Sequence, residues 1–117
     1  MPDRSFALTR AKRLTQATEF QRVFSGADRS SDRFFTVLAA ASDTRAARLG
    51  LAISRRAASR AVDRNRLRRL ARESFRQLDL APLDFVVMAK PPAVATDNAT
   101  LRTSLDRHFT RLSERAR

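Results

Sequence analysis

The chain has 117 residues, enough for one domain that buries about two thirds of the surface its unfolded form exposes, and too few for a second domain of substance. Lys and Arg number 24 against 12 Asp and Glu, a formal net charge of +12, and every cation except Lys12 and Lys90 is an arginine. Having no cysteine, the chain excludes a disulfide framework, thiolate metal ligation and a thiol nucleophile, while His108 as the sole histidine excludes two-His zinc sites and His-containing iron triads within one chain.

Residues 1–13 hold Arg4, Arg10, Lys12 and Arg13 with no clear period. They read as a flexible basic arm that orders on binding, leaving 14–117 as a single domain. The arm's apolar patch, Phe6 to Leu8, is shorter than a secretory h-region, and no apolar run approaches the ~20 residues of a membrane span, so the expectation is a cytoplasmic protein. From Thr15 to Ser25 the spacing of Ala17, Phe20, Val23 and Phe24 predicts a short amphipathic helix, with Thr15 or Thr18 to cap it and Gly26 to stop it. Phe34 to Ala41 and Leu49 to Ile53 are rich in strand formers and predict neighbouring strands, a hairpin joined by the polar loop Ser42 to Arg48. A further strand has room if residues 29–53 divide again.

A long helix is predicted over Arg60 to Leu78, then a turn at Ala81-Pro82 and a buried strand from Asp84 to Ala89, ended by Pro91-Pro92. Thr96, Asp97 and Asn98 offer N-caps for a last helix striped by Leu101, Leu105, Phe109 and Leu112. The order describes an α/β protein, an α+β two-layer sandwich on a small mixed sheet. By the general rule the strand, helix, strand unit from Leu49 to Ala89 crosses over right-handedly.

The charge is concentrated. Between Arg45 and Arg76 eleven arginines stand against Asp63 and Glu73, +9 in 32 residues, and the other 85 residues carry only +3. The arginine excess by itself suits a polyanion or a GC-rich genome, but a codon bias spreads Arg over every segment, and this clustering does not. On a helical wheel Leu67, Leu70, Ala71, Ser74, Phe75 and Leu78 share an arc of about 140°, and Asn65, Arg68, Arg69, Arg72 and Arg76 share about 100° on the other side. The bland reading, a solvated face on which Glu73 pairs with Arg69 and Arg76, leaves most of these cations repelling one another. One face is built for a core and the other for phosphates.

Protein-based nuclease chemistry needs clustered carboxylates for metals, or a base beside an activated nucleophile. Asp79 and Asp84 are the closest acids outside the loops and read as a helix exit and a strand start, and His108 reads as a histidine at the boundary of an apolar stripe. No catalytic or metal-ligating residue is therefore assigned. A structural ribosomal protein shares the basic helix and small fold, whereas a helix-turn-helix DNA binder needs a helix where the segment before Arg60 reads as strand.

The segments Arg48-Leu-Gly-Leu-Ala-Ile-Ser-Arg-Arg56 and Arg64-Asn65-Arg66-Leu67-Arg68-Arg69-Leu70-Ala71-Arg72-Glu73-Ser74-Phe75-Arg76 resemble the signature of the bacterial ribonuclease P protein component. Leu14 with Phe20, Val23 and Phe24, the strand Asp84 to Lys90 and the total length agree, so the resemblance covers almost the whole chain. Arg55-Arg56 stand where paired lysines are common, which keeps the charge, and a glycine some members carry before the long helix is missing. The resemblance implies a left-handed crossover around the basic helix, against the general rule. It also implies an RNA subunit that is the ribozyme and uses magnesium to cleave the 5′ leader from precursor tRNA, with the protein inactive alone, binding no cofactor alone, and monomeric by itself. Arg64, Asn65, Arg66, Arg68, Arg69 and Arg72 are then expected to dock on the RNA subunit. A cleft between the first helix and the sheet, with Phe20, Phe24, Phe35 or Val37 and with Arg55 and Arg56 beyond a strand end, is expected to hold unstacked leader nucleotides.

Overall fold

The computed structural model describes residues 17–117, so the expected arm at 1–13 and the cap at Thr15 lie outside the described residues. Helix α1 spans Ala17–Gly26, and the chain then forms β1 (Asp28–Ser31), β2 (Phe35–Ala41), β3 (Arg48–Ala52), α2 (Ala61–Gln77), β4 (Leu83–Ala89), a 3-10 turn (Pro91–Ala95) and α3 (Asn98–Ala116). The four strands make one sheet in the order β1-β2-β4-β3.

The expected hairpin between β2 and β3 does not form, because β4 lies between them, antiparallel to β2 with Leu38 opposite Val86 and parallel to β3 with Leu49 opposite Phe85. Burial decides the order. Strands β2 and β4 carry apolar side chains on both faces and are covered on both, whereas β3 presents Arg48 and Gly50 on one side and suits an edge. The further strand is β1, the opposite edge, whose polar residues Asp28, Arg29, Ser30 and Ser31 pair with β2. Helix α2 carries the chain from β3 to its parallel neighbour β4.

One sheet face, with Phe35, Val37, Ala39, Leu49, Phe85 and Val87, packs on Leu67, Leu70, Ala71 and Phe75 of α2 and on Leu101, Leu105, Phe109 and Leu112 of α3. The rings of Phe75, Phe85 and Phe109 meet edge to face with centroids 6.0, 5.8 and 5.4 Å apart, an arrangement that favours aromatic quadrupoles over a plain stack. Buried Ser74 is satisfied by donating to Asp106 of α3. At the start of α3, Asp97 accepts from the Thr100 backbone N–H at 3.0 Å and its hydroxyl at 2.8 Å. Among the described residues α1 covers the reverse face, through a cluster of Val23, Leu38 and Val86 with Phe20, Ala27, Ala40, Ala52 and Met88 at its margin. Among the described residues no helix is long and apolar enough to cross a membrane.

Candidate RNA interface

Helix α2 divides its residues as its periodicity predicts: Leu67, Leu70, Ala71, Ser74 and Phe75 are buried, and Asn65, Arg69 and Arg72 are exposed. The six residues expected to dock on RNA do not form one set. Arg64 turns back to donate to the carbonyls of Ala58 and Ser59, both at 2.9 Å, and fastens the loop ahead of the helix. Arg66 reaches across to the 3-10 turn, donating to Val94 O at 2.9 Å, Thr96 O at 3.2 Å, Ala93 O at 3.3 Å and Asn98 Oδ1 at 2.5 Å. Both are clamps within the protein. The outward surface is left to Asn65, Arg68, Arg69 and Arg72, with Arg68 Nη1 3.0 Å from Asn65 Oδ1.

Arg55 and Arg56 are exposed in the turn after β3, as expected of charged residues beyond a strand end. Ser54 shapes that turn, its Oγ accepting from Ala57 N at 3.1 Å and its carbonyl from Ala58 N at 3.0 Å. Arg60 is the N-cap of α2 and makes no side-chain capping bond, and Asp63 lies in the first turn with its N–H bonded to Arg60 O at 3.1 Å.

The expected cleft needs a correction. Phe35 and Val37 have no exposed surface and point into the layer of α2 and α3, away from α1. The positions facing α1 are the alternate ones, Thr36, Leu38 and Ala40 on β2 and Asp84, Val86 and Met88 on β4. Phe20 is half-buried and packs against the Val23, Leu38 and Val86 cluster, and Phe24 is 47% exposed, their ring centroids 6.4 Å apart. Burial falls along the reverse face from Leu38 and Val86 to half-buried Thr36, Met88 and Ala52 and exposed Ser31. At that open end Ser31 Oγ lies 2.8 Å from Thr36 Oγ1 and accepts from Lys90 Nζ at 2.8 Å.

Two residues read as incidental in the sequence sit in buried polar networks. Asp84 is fully buried; Arg48 holds it bidentately, Nε to Oδ1 and Nη2 to Oδ2 both at 2.8 Å, and Arg22 of α1 also donates to Oδ2. Burial pushes its pKa up, but the hydrogen bonds from Arg48 and Arg22 outweigh this and hold the carboxyl below the usual carboxylate value. The available signal was an acid in register with Val86 and Met88 inside an apolar strand, which demands a buried cation.

His108 is 1% exposed, not a boundary residue, because Ser30 and Asp32 at the sheet edge receive it. Its Nδ1 lies 2.7 Å from Ser30 Oγ, and Nε2 lies 3.0 Å from Asp32 Oδ2, an ion-pair distance rather than an aligned hydrogen bond. Burial lowers its pKa, opposed by Asp32 and reinforced by Arg111 and Arg107. Asp32 also accepts from Ser104 and from the amides of Phe34 and Phe35, which outweigh its own desolvation and lower its pKa. Ser30 and His108 are buried between β1 and α3 and Asp32 is partly exposed at their edge, so the three join elements and the serine presents no nucleophile to solvent. Among the described residues no group of three or more His, Cys, Asp or Glu could hold a metal ion.

A four-stranded mixed sheet, a parallel crossover through an arginine-faced helix and a second helix over an open sheet face define a small basic RNA-binding protein. The pattern of the family Ribonuclease P matches residues 8–113. The ribonuclease P protein component of Thioalkalivibrio sulfidiphilus is 50% identical over 106 residues, 89% of this chain and 88% of its own. The solved ribonuclease P protein of Staphylococcus aureus superimposes with a TM-score of 0.80 at 26% identity, covering 86% of this chain and 94% of that one. A mutant of the Staphylococcus aureus protein, described as defective in mRNA degradation activity, superimposes with a TM-score of 0.80 at 25% identity over 86% of each chain. The chain belongs to the family of bacterial ribonuclease P protein components.

Proposed function

We propose that this chain assembles with a catalytic ribonuclease P RNA through the outward face of α2 and binds the 5′ leader of precursor tRNA along the open sheet face beside α1, assisting removal of the leader. The observation that carries this is the outward surface of exposed Asn65, Arg69 and Arg72 with half-buried Arg68, which Arg64 and Arg66 do not join because they bind the adjoining loop and turn. Arg55 and Arg56 extend the basic surface past β3, and Phe20 and Phe24 offer π faces to unstacked bases.

Chemistry belongs to the RNA in this reading. Magnesium bound in the assembled ribonucleoprotein would supply Lewis-acid chemistry for the cleavage, while the protein's part is to bind and orient phosphates. The protein alone is proposed to bind no cofactor and to cleave nothing. The test adds the purified chain to a ribonuclease P RNA at low magnesium: restored cleavage of precursor tRNA is expected, and a structural ribosomal protein would not restore it. A parallel incubation of the protein alone with precursor tRNA and with an mRNA, from pH 5 to 9, is expected to leave both intact. Cleavage there that His108→Ala abolishes would overturn the division of labour.

A further inference from the structure

We infer that Arg22, Asp84 and Arg48 form a positioning lock that sets the angle of α1 over the sheet and so fixes the width of the proposed leader cleft. The inference rests on the leader-cleft reading. Among the described residues the apolar contact of α1 centres on one fully buried side chain, Val23, which packs with Leu38 and Val86 and is flanked by half-buried Phe20, Ala27, Ala40, Ala52 and Met88. Such a contact resists removal of the helix but specifies its direction poorly, because apolar surfaces slide with little change in buried area.

Arg22 supplies the direction. Its guanidinium donates to Asp84 on β4 and, through Nη1, to Ala41 O at the end of β2 at 2.7 Å, so one side chain fixes α1 against two strands at one end of the sheet. Asp84 cannot turn away, because Arg48 of β3 grips both its oxygens. An apolar residue at 84 would pack as well, and a buried ion pair seldom adds stability over an apolar substitute. What the ions add is geometry: a planar fork on a fixed carboxylate admits one orientation. Pinned at the Ala41 end, α1 leaves half-buried Thr36, Met88 and Ala52 and exposed Ser31 at the other end of the described sheet, with Phe20 packed against the same cluster.

The test uses Arg22→Met and Asp84→Asn, which break the lock while changing the net charge by −1 and +1. A simple charge effect on RNA moves the two variants in opposite directions, and loss of positioning moves both the same way. Holoenzymes saturated with each protein are assayed for binding of precursor tRNA and mature tRNA, and amide hydrogen exchange is followed across α1 with α2 as internal reference. Both variants are expected to lower the precursor-to-mature affinity ratio about 5-fold or more, and to speed exchange in α1 at least about 10-fold with α2 unchanged. Unchanged α1 exchange in both overturns the lock, and so does a ratio that rises in Asp84→Asn while falling in Arg22→Met. Phe20→Ala separates the two ideas: a ratio lowered by Phe20→Ala alone retains the cleft and rejects the lock, and a ratio moved by none of the three rejects the cleft itself. If either lock variant fails to fold, α1 exchange in Arg22→Lys, which keeps the charge but loses the fork, decides: exchange as slow as in the parent overturns the proposal.

Discussion

Replacing Arg66 by alanine removes a guanidinium that bonds three backbone carbonyls and Asn98 at once, leaving Ala93 O with its bond from Thr96 N and taking the guanidinium from those of half-buried Val94 and Thr96. The loss is about 2 kcal/mol, which lowers the Tm of a chain this size by roughly 6–12 °C before any RNA is added. Arg69, outward on the same helix, should behave oppositely: Arg69→Gln leaves Tm within ~2 °C and lowers the log-log salt slope of RNA binding by ~0.7–0.9. Melting curves and binding isotherms at several salt concentrations check the pair. His108 gives a second prediction. Its folded-state pKa lies below the ordinary 6.5, so the unfolded chain takes up the proton first, and stability present above about pH 6.5 is lost as pH falls through that value towards the depressed folded one. The lowered Asp32 and Asp84 carboxyls keep their contribution until pH falls below about 3.8, outside this window. Tm should therefore drop between pH 7.5 and 5.5, and His108→Gln, lower throughout, should be flat across that interval; equal slopes would sink the assignment.

At the scale of elements, α2 has one face for the core and one for phosphate, and the two should fail separately. Phe75→Ala opens a cavity among three edge-on rings and should cost about 3–5 kcal/mol in denaturant titration, with the salt slope of the folded fraction unchanged. The triple change of Arg68, Arg69 and Arg72 to Gln should weaken RNA binding and reduce the slope by about 0.7–0.9 for each phosphate no longer neutralised, while unfolding stays as in the parent. This helix was legible in the sequence because a period of 3.6 leaves no ambiguity over 17 residues: Arg60 and Leu78, its predicted ends, became its flanking caps. Strands β2 and β4 were located but not placed. Each is apolar on both sides, so the period-two signal that would have told Thr36 and Leu38 from Phe35 and Val37 is missing, and nothing local says that β4 inserts between β2 and β3. Polar β1 and the proline-rich 3-10 turn owe their form to tertiary partners, β2 and Arg66, and a reading by local pattern passes over them. The split of Arg64 and Arg66 from the outward arginines was equally invisible, since charge is countable in a sequence and the direction of a long side chain is not.

For the whole molecule, +12 on 117 residues means that folding gathers cations that water and distance keep apart in the unfolded chain. Sulfate should accordingly raise Tm more than chloride at equal ionic strength, since anions seated on the α2 face add binding to screening. The general salting effect of sulfate is common to all variants, so the specific part is the difference that disappears in the triple Gln protein. The order β1-β2-β4-β3 also constrains when such a protein can exist. One of the two inner strands, β4, is the last of the four described strands to be synthesised, so until Leu83–Ala89 has been made nothing links β3 to the β1-β2 pair, although every arginine from Arg45 to Arg76 is already present. The nascent chain thus passes through a stage in which its most cationic segment is complete and unfolded at the surface of the ribosome, itself largely RNA, and the sheet that would organise those charges closes only after β4 has emerged.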